Sequence, residues 1–117
     1  MNQGFPKAYR LLKRQEFTGV YATGTPYRNT GFHLFVKKRE DYGPSRIGMT
    51  VTRAAGNAVI RNQLRRWTRE TFRLSKDQVK PGFDMVLNYH RSLAAKSRQD
   101  FDQLFKNILA KADLLQT

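Results

Sequence analysis

Two stretches of alternating residues bracket what this chain can become. In "GFHLFVKK" (31–38), Phe32, Leu34 and Val36 fall on one side and His33, Phe35 and Lys37 on the other. In "RIGMTVTR" (46–53), Ile47, Met49 and Val51 oppose Gly48, Thr50 and Thr52. A period of two, written in aromatic and β-branched residues, marks strands with one buried face. The linking "REDYGPS" is rich in turn formers, so the two runs are expected to pair as an antiparallel hairpin.

The period then changes. In "AAGN", Gly56 supplies a turn and Asn57 an N-cap, and a helix is predicted from there to about Leu74. "KPGFDMVLNYHR" (80–91) opens with a Pro-Gly turn and predicts a third strand, with Phe83, Met85, Leu87 and Tyr89 on one face. Upstream, the spacing of Leu12, Phe17, Val20 and Tyr21 predicts a short helix, broken by "ATGTPYRN". Residues 1–10 read as a loose basic tail. From Ser97 to about Leu115, Phe101, Leu104, Phe105, Ile108 and Leu109 recur at helical spacing, behind Ser97 and Asp100 at capping-box spacing. The order α-β-β-α-β-α, without repeat or linker in 117 residues, predicts one α+β domain with helices packed on a small mixed sheet.

The helix after Asn57 holds the strongest functional signal. Between Asn57 and Glu70 lie four arginines and one acid. At about 100° per residue, Ile60, Leu64, Trp67, Thr71 and Leu74 form a core-facing stripe, while Arg61, Asn62, Arg65, Arg66, Arg69 and Arg73 lie opposite. Phe72 falls close to Arg61. Ordinary solvated faces mix signs, whereas Arg61, Arg65 and Arg69 at i, i+4 and i+8 repel one another. The whole chain repeats the imbalance: 22 lysines and arginines against 9 acids give a formal charge of +13. Such self-repulsion calls for a polyanion. Arginine forks onto phosphate and stacks on bases, which favours nucleic acid over an anionic membrane, since the apolar side of this helix is needed for the core.

Little points to catalysis by the chain itself. There is no cysteine, and His33 and His90 have no metal-ligand spacing. The acids are scattered, and Glu70 alone joins the basic face, so no triad or two-metal motif emerges. Neither a signal-peptide run nor a membrane span is present in the sequence, and a cytoplasmic location is expected. A sheet face joining His33, Phe35, Thr50 and Thr52, with Phe17 and Tyr21 one helical turn apart nearby, suits unstacked single-stranded nucleic acid.

These residues carry a resemblance. "RAAGNAVIRNQLRRWTRE" is similar to the signature of the bacterial ribonuclease P protein subunit, in which a basic residue, a turn glycine and "NAV" precede an R-N-R-type basic helix. "RLLKRQEFTGVYATG", "SRIGMTVTR" and "KPGFDMVLNYHR" resemble that family's first helix, the strand before its motif and its last strand. The resemblance implies a ribosomal-protein-like α/β sandwich with a left-handed crossover. It also implies a partner, a large catalytic RNA that holds the active site and its Mg2+, and a reaction, removal of the 5′ leader from precursor tRNA. By position, Arg53, Arg61, Asn62, Arg65, Arg66 and Arg69 are then expected to meet RNA. Phe17, Tyr21, His33, Phe35, Thr50 and Thr52 are expected to line a leader cleft. The third position of R-N-R is Gln63, which can hydrogen-bond but brings no charge. A ribosomal-type RNA-binding protein with no role in cleavage is the alternative reading.

Overall fold

The computed structural model describes residues 7–116. Its elements are α1 (Arg14–Thr23), β1 (Thr25–Arg28), β2 (Phe32–Lys38), β3 (Arg46–Thr50), α2 (Ala58–Ser75), β4 (Phe83–Tyr89) and α3 (Arg98–Lys111). The sheet runs β1-β2-β4-β3, antiparallel except for the β3–β4 pair. The α+β class and the helix-on-sheet plan are as the sequence predicts.

The expected hairpin is not. β2 and β3 share no hydrogen bonds; β4 lies between them, antiparallel to β2 and parallel to β3, with α2 as the crossover. Asp84 to Leu87 are buried without interruption, as a central strand covered on both faces must be. A turn-rich linker fixes that the chain reverses, not which strand becomes the neighbour. The real hairpin joins β2 to β1, a strand missed inside "ATGTPYRN". β1 is short and contains Pro26, which is tolerated at a sheet edge. Asn29 closes that hairpin: its Oδ1 accepts from the N–H groups of Gly31 (2.9 Å) and Phe32 (2.8 Å).

One sheet face holds the main core. Phe32, Leu34, Val36, Ile47, Met85, Leu87 and Tyr89 pack there with Leu64 and Phe72 of α2 and Phe101, Phe105 and Ile108 of α3. α2 begins as expected, with the Asn57 side chain accepting from Ile60 N–H at 3.0 Å. Gly56 takes φ 142°, a region that strains any residue with a Cβ. α3 is capped by Ser97, which accepts from Asp100 N–H at 3.1 Å, and it ends at Lys111, earlier than predicted. Leu115 instead bridges to Val79.

The second face carries a smaller cluster of Leu11, Val20 and Val86 with Phe17 and Phe35, roofed by α1. Here residues 7–10 depart from the loose tail expected of them. Lys7–Tyr9 form a 3-10 turn, Tyr9 meets Phe72 edge to face, and Arg10 bridges to Ile47. The remainder of that expected tail, residues 1–6, lies outside the described residues.

Candidate nucleic-acid interface

α2 is turned on its axis relative to the apolar wheel. Its buried residues are Leu64, Thr68, Thr71, Phe72 and Ser75, whereas Leu74 is 71% exposed. The stripe therefore lies roughly 60° from the predicted one. The reason is that hydroxyls can be buried when their own helix satisfies them. Thr68 Oγ1 donates to Leu64 O at 2.8 Å and meets the Tyr89 hydroxyl; Ser75 Oγ donates to Thr71 O. Phe72 fills the room this rotation opens, and Leu74 leaves the core.

The rotation sorts the arginines. Arg66 and Arg73 are exposed with Asn62, and Arg53 is exposed on the 3-10 turn (Arg53–Ala55) that precedes the helix. Arg61, Arg65 and Arg69 are half-buried along the border. Arg61 Nη1 donates to Gly56 O and Arg65 Nη1 to Asn62 Oδ1, each at 2.9 Å. Gln63 is half-buried on the far side of the helix from Arg61. Among the described residues, none of these six arginines forms an ion pair.

Arginines elsewhere do. Arg46 donates to both oxygens of Asp84 and to Glu16, and Arg39 reaches Asp84 and Asp41, all within hydrogen-bonding distance. This network pins α1 to the sheet. Glu16 Oε1 also accepts from the N–H groups of Leu12 and Lys13; these backbone bonds, then Arg46, hold its carboxyl below the usual range. Hydrogen bonding from Arg39 holds Asp41 at about 2. On the other side of the molecule Arg98 joins Glu70 (2.7 Å) to Asp102 (2.9 Å) and lies over the Trp67 ring. The one acid on the basic helix is thus spent on holding α3.

The residues expected in a cleft gather where α1 meets the second sheet face. Phe17 lies across β3 so closely that a Cβ on Gly48 would stand 2.5 Å from its ring. Tyr21, Phe35 and His33 follow: Tyr21 meets Phe35 edge to face at 4.9 Å, and His33 tilts over Phe35 at 4.6 Å. The Tyr21 hydroxyl donates to Asn88 Oδ1 (3.0 Å) and shares a hydrogen bond with Thr50 Oγ1 (3.0 Å). Five of the six residues expected in the cleft therefore meet on one face. Thr52 stands apart, past the end of β3, where its carbonyl accepts from Ala55 N–H next to Arg53. Asn88 was not foreseen, although it is the polar residue set between Leu87 and Tyr89 in an otherwise apolar run. Burial first, and then the charge of Arg28, press the His33 pKa down.

This pairing of an unneutralised arginine helix with an aromatic cleft can be set against known proteins. The family model for ribonuclease P matches residues 5–113. The chain belongs to the ribonuclease P protein family. It is 36% identical to the ribonuclease P protein component of Thermotoga petrophila over 93% of either chain. With that of Clostridioides difficile it shares 32% over 94% of this chain and 96% of the other. Among solved structures, a mutant RNase P protein of Staphylococcus aureus superposes with TM-score 0.88 at 25% identity, covering 93% of this chain and 92% of that one. The Thermotoga maritima RNase P protein gives 0.79 at 30% identity, covering 87% and 96%. Ribonuclease P processes tRNA as an endoribonuclease complex, and membership of its protein component implies an RNA partner. No helix among the described residues is long and apolar enough to cross a membrane.

Proposed function

We propose that this chain binds the catalytic RNA of ribonuclease P through α2 and the turn before it, and the 5′ leader of precursor tRNA through the α1–sheet cleft. Bound there, it promotes Mg2+-dependent removal of the leader, with the active site on the RNA. The observation that carries this is the contrast between arginines. Arg39, Arg46 and Arg98 are neutralised by acids, while Arg53, Arg61, Arg65, Arg66 and Arg69 are left for phosphates. Asn62, exposed on the same helix, adds a neutral hydrogen-bonding group. In the cleft, Phe17, Tyr21, His33 and Phe35 offer ring faces and edges to unstacked bases, and Thr50 offers a hydroxyl. Thr52 lies on the route from cleft to basic helix and is assigned to the strand's passage between them.

Mg2+ belongs to the RNA in this reading. Among the described residues no group of three or more carboxylate, histidine or cysteine side chains could hold a metal. No residue of this chain is therefore assigned to the ion.

The test is reconstitution. Purified protein, catalytic RNA and their mixture are offered precursor tRNA at modest Mg2+. Cleavage by the mixture should exceed that by the RNA alone, and the protein alone should leave the substrate intact. Cleavage by the protein alone, or a mixture no better than the RNA, would overturn the proposal.

A further inference from the structure

The strand register sets four polar residues in one line across the sheet. Arg28 on β1 pairs with His33 on β2, His33 with Asn88 on β4, and Asn88 with Thr50 on β3. Directly opposed residues share a face, and the Tyr21 hydroxyl confirms which face by bonding both Asn88 and Thr50. The adjacent row on that face, Phe35, Val86 and Gly48, is apolar and packs under α1. Over the polar row α1 reaches only with the Tyr21 side chain, at Asn88 and Thr50.

One atom in it lacks a partner. His33 Nε2 is buried and accepts or donates no hydrogen bond among the described residues. An unsatisfied buried polar atom is costly to a fold, and it is commonly a place where a ligand completes the bonding. His33 and Asn88 face a cavity of about 290 Å³ at the end of the sheet, with Arg28 and His90 on its rim. Asn88 gives its Oδ1 to Tyr21 and keeps both Nδ2 hydrogens. The row thus presents a ring nitrogen and an amide at its middle and a guanidinium at its edge.

We infer that this polar row extends the leader path: single-stranded RNA leaves the stacking rings and crosses from β3 toward β1. A base edge meets His33 Nε2 and the Asn88 amide, and a backbone phosphate meets Arg28. Three strand spacings, about 14 Å in all, separate Thr50 from Arg28, so the Arg28 end of the row serves nucleotides farther along the leader than the rings do. The inference rests on the leader reading proposed above and adds a base-reading pair and an exit contact.

The experiment uses the reconstituted holoenzyme with precursor tRNAs bearing leaders of one nucleotide or of about eight, and with mature tRNA. Arg28 is exposed on an edge strand, so Arg28→Gln leaves the core untouched. Arg28→Gln should weaken binding of the long-leader substrate about tenfold and leave the other two unchanged. His33→Phe keeps a ring on Phe35 but removes Nε2, and should flatten discrimination among bases at one distal leader position. Equal losses on mature tRNA, or no loss on the long leader, would overturn the inference for Arg28; an unaltered base preference would overturn it for His33. Phe17→Ala, measured in parallel, separates the two levels. If it lowers leader-dependent affinity while Arg28→Gln and His33→Phe do not, only the extension fails. If it lowers none, the leader reading itself fails.

Discussion

Asp84 sits beneath α1 and divides its oxygens between Arg39 at 2.8 Å and Arg46 at 2.9 and 2.8 Å. Its side chain is 10% exposed, so removing its charge leaves two partly buried guanidiniums with one acid each, Asp41 for Arg39 and Glu16 for Arg46. Asp84→Asn should lower unfolding free energy by about 3 kcal/mol in a denaturant titration. A change of a few tenths would show the network to be ornamental. Arg65 is the counterpart. It has no acid partner among the described residues, so Arg65→Ala should barely alter stability. It should reduce the slope of log binding constant against log salt for the catalytic RNA by about one; an unchanged slope removes Arg65 from the contact set. The distinction was only half legible beforehand. Counting charges picked out the arginine helix, but nothing in the spelling showed that Glu70 would be taken by Arg98, 28 residues away. Nor could counting place Asn88 against Tyr21, because that contact depends on register across the sheet.

At the scale of elements, periodicity located α1, α2, α3 and three of the strands, since each must present one apolar side to the core. It failed where burial does not follow apolarity. Thr68 and Ser75 are buried because they bond the carbonyl one turn back, and the true stripe swings toward Phe72 as a result. β1 escaped notice because it is mostly exposed and has little apolar pattern to read. The placement of β4 was hidden for a different reason: pairing is a property of the whole sheet. The α1–sheet contact yields an element-scale expectation. Gly48→Ala would press a methyl against the Phe17 ring and lift that helix locally. Stability should fall by about 1–3 kcal/mol. Discrimination between leader-bearing and mature tRNA should shrink, while affinity for the catalytic RNA holds. A loss of catalytic-RNA affinity with discrimination intact would contradict the proposed division of labour between helix and cleft.

For the whole molecule, charge sets the response to conditions. The depressed carboxyls of Glu16 and Asp41 contribute stability that is complete above their unfolded values of 4.5 and 3.8. It is lost as pH falls through their folded values, the second being about 2. Glu16→Gln should therefore show a shallower fall in melting temperature below about pH 4.5 than the parent chain; parallel curves would exclude Glu16 as a contributor. The charge of +13 acts throughout. A polyanion that binds only the folded form should raise the melting temperature in proportion to the logarithm of its concentration. A neutral osmolyte at matched ionic strength serves as the control.

The central place of β4 also dictates a timetable. Among the described residues β3 pairs with no strand but β4, its other side meeting only the isolated bridge from Arg10 to Ile47. As the chain leaves the ribosome, β1 and β2 can zip together at once, but β3 must wait through the synthesis of all of α2 before its partner exists. Until then its inner edge is open and the arginine helix α2 has no completed sheet to lie on. A nascent chain halted before Phe83 should be caught by chaperones or proteases, and release of the last strand should convert it to a resistant form in a single step. The same insertion that builds the cleft thus makes binding competence a late event in the life of each molecule.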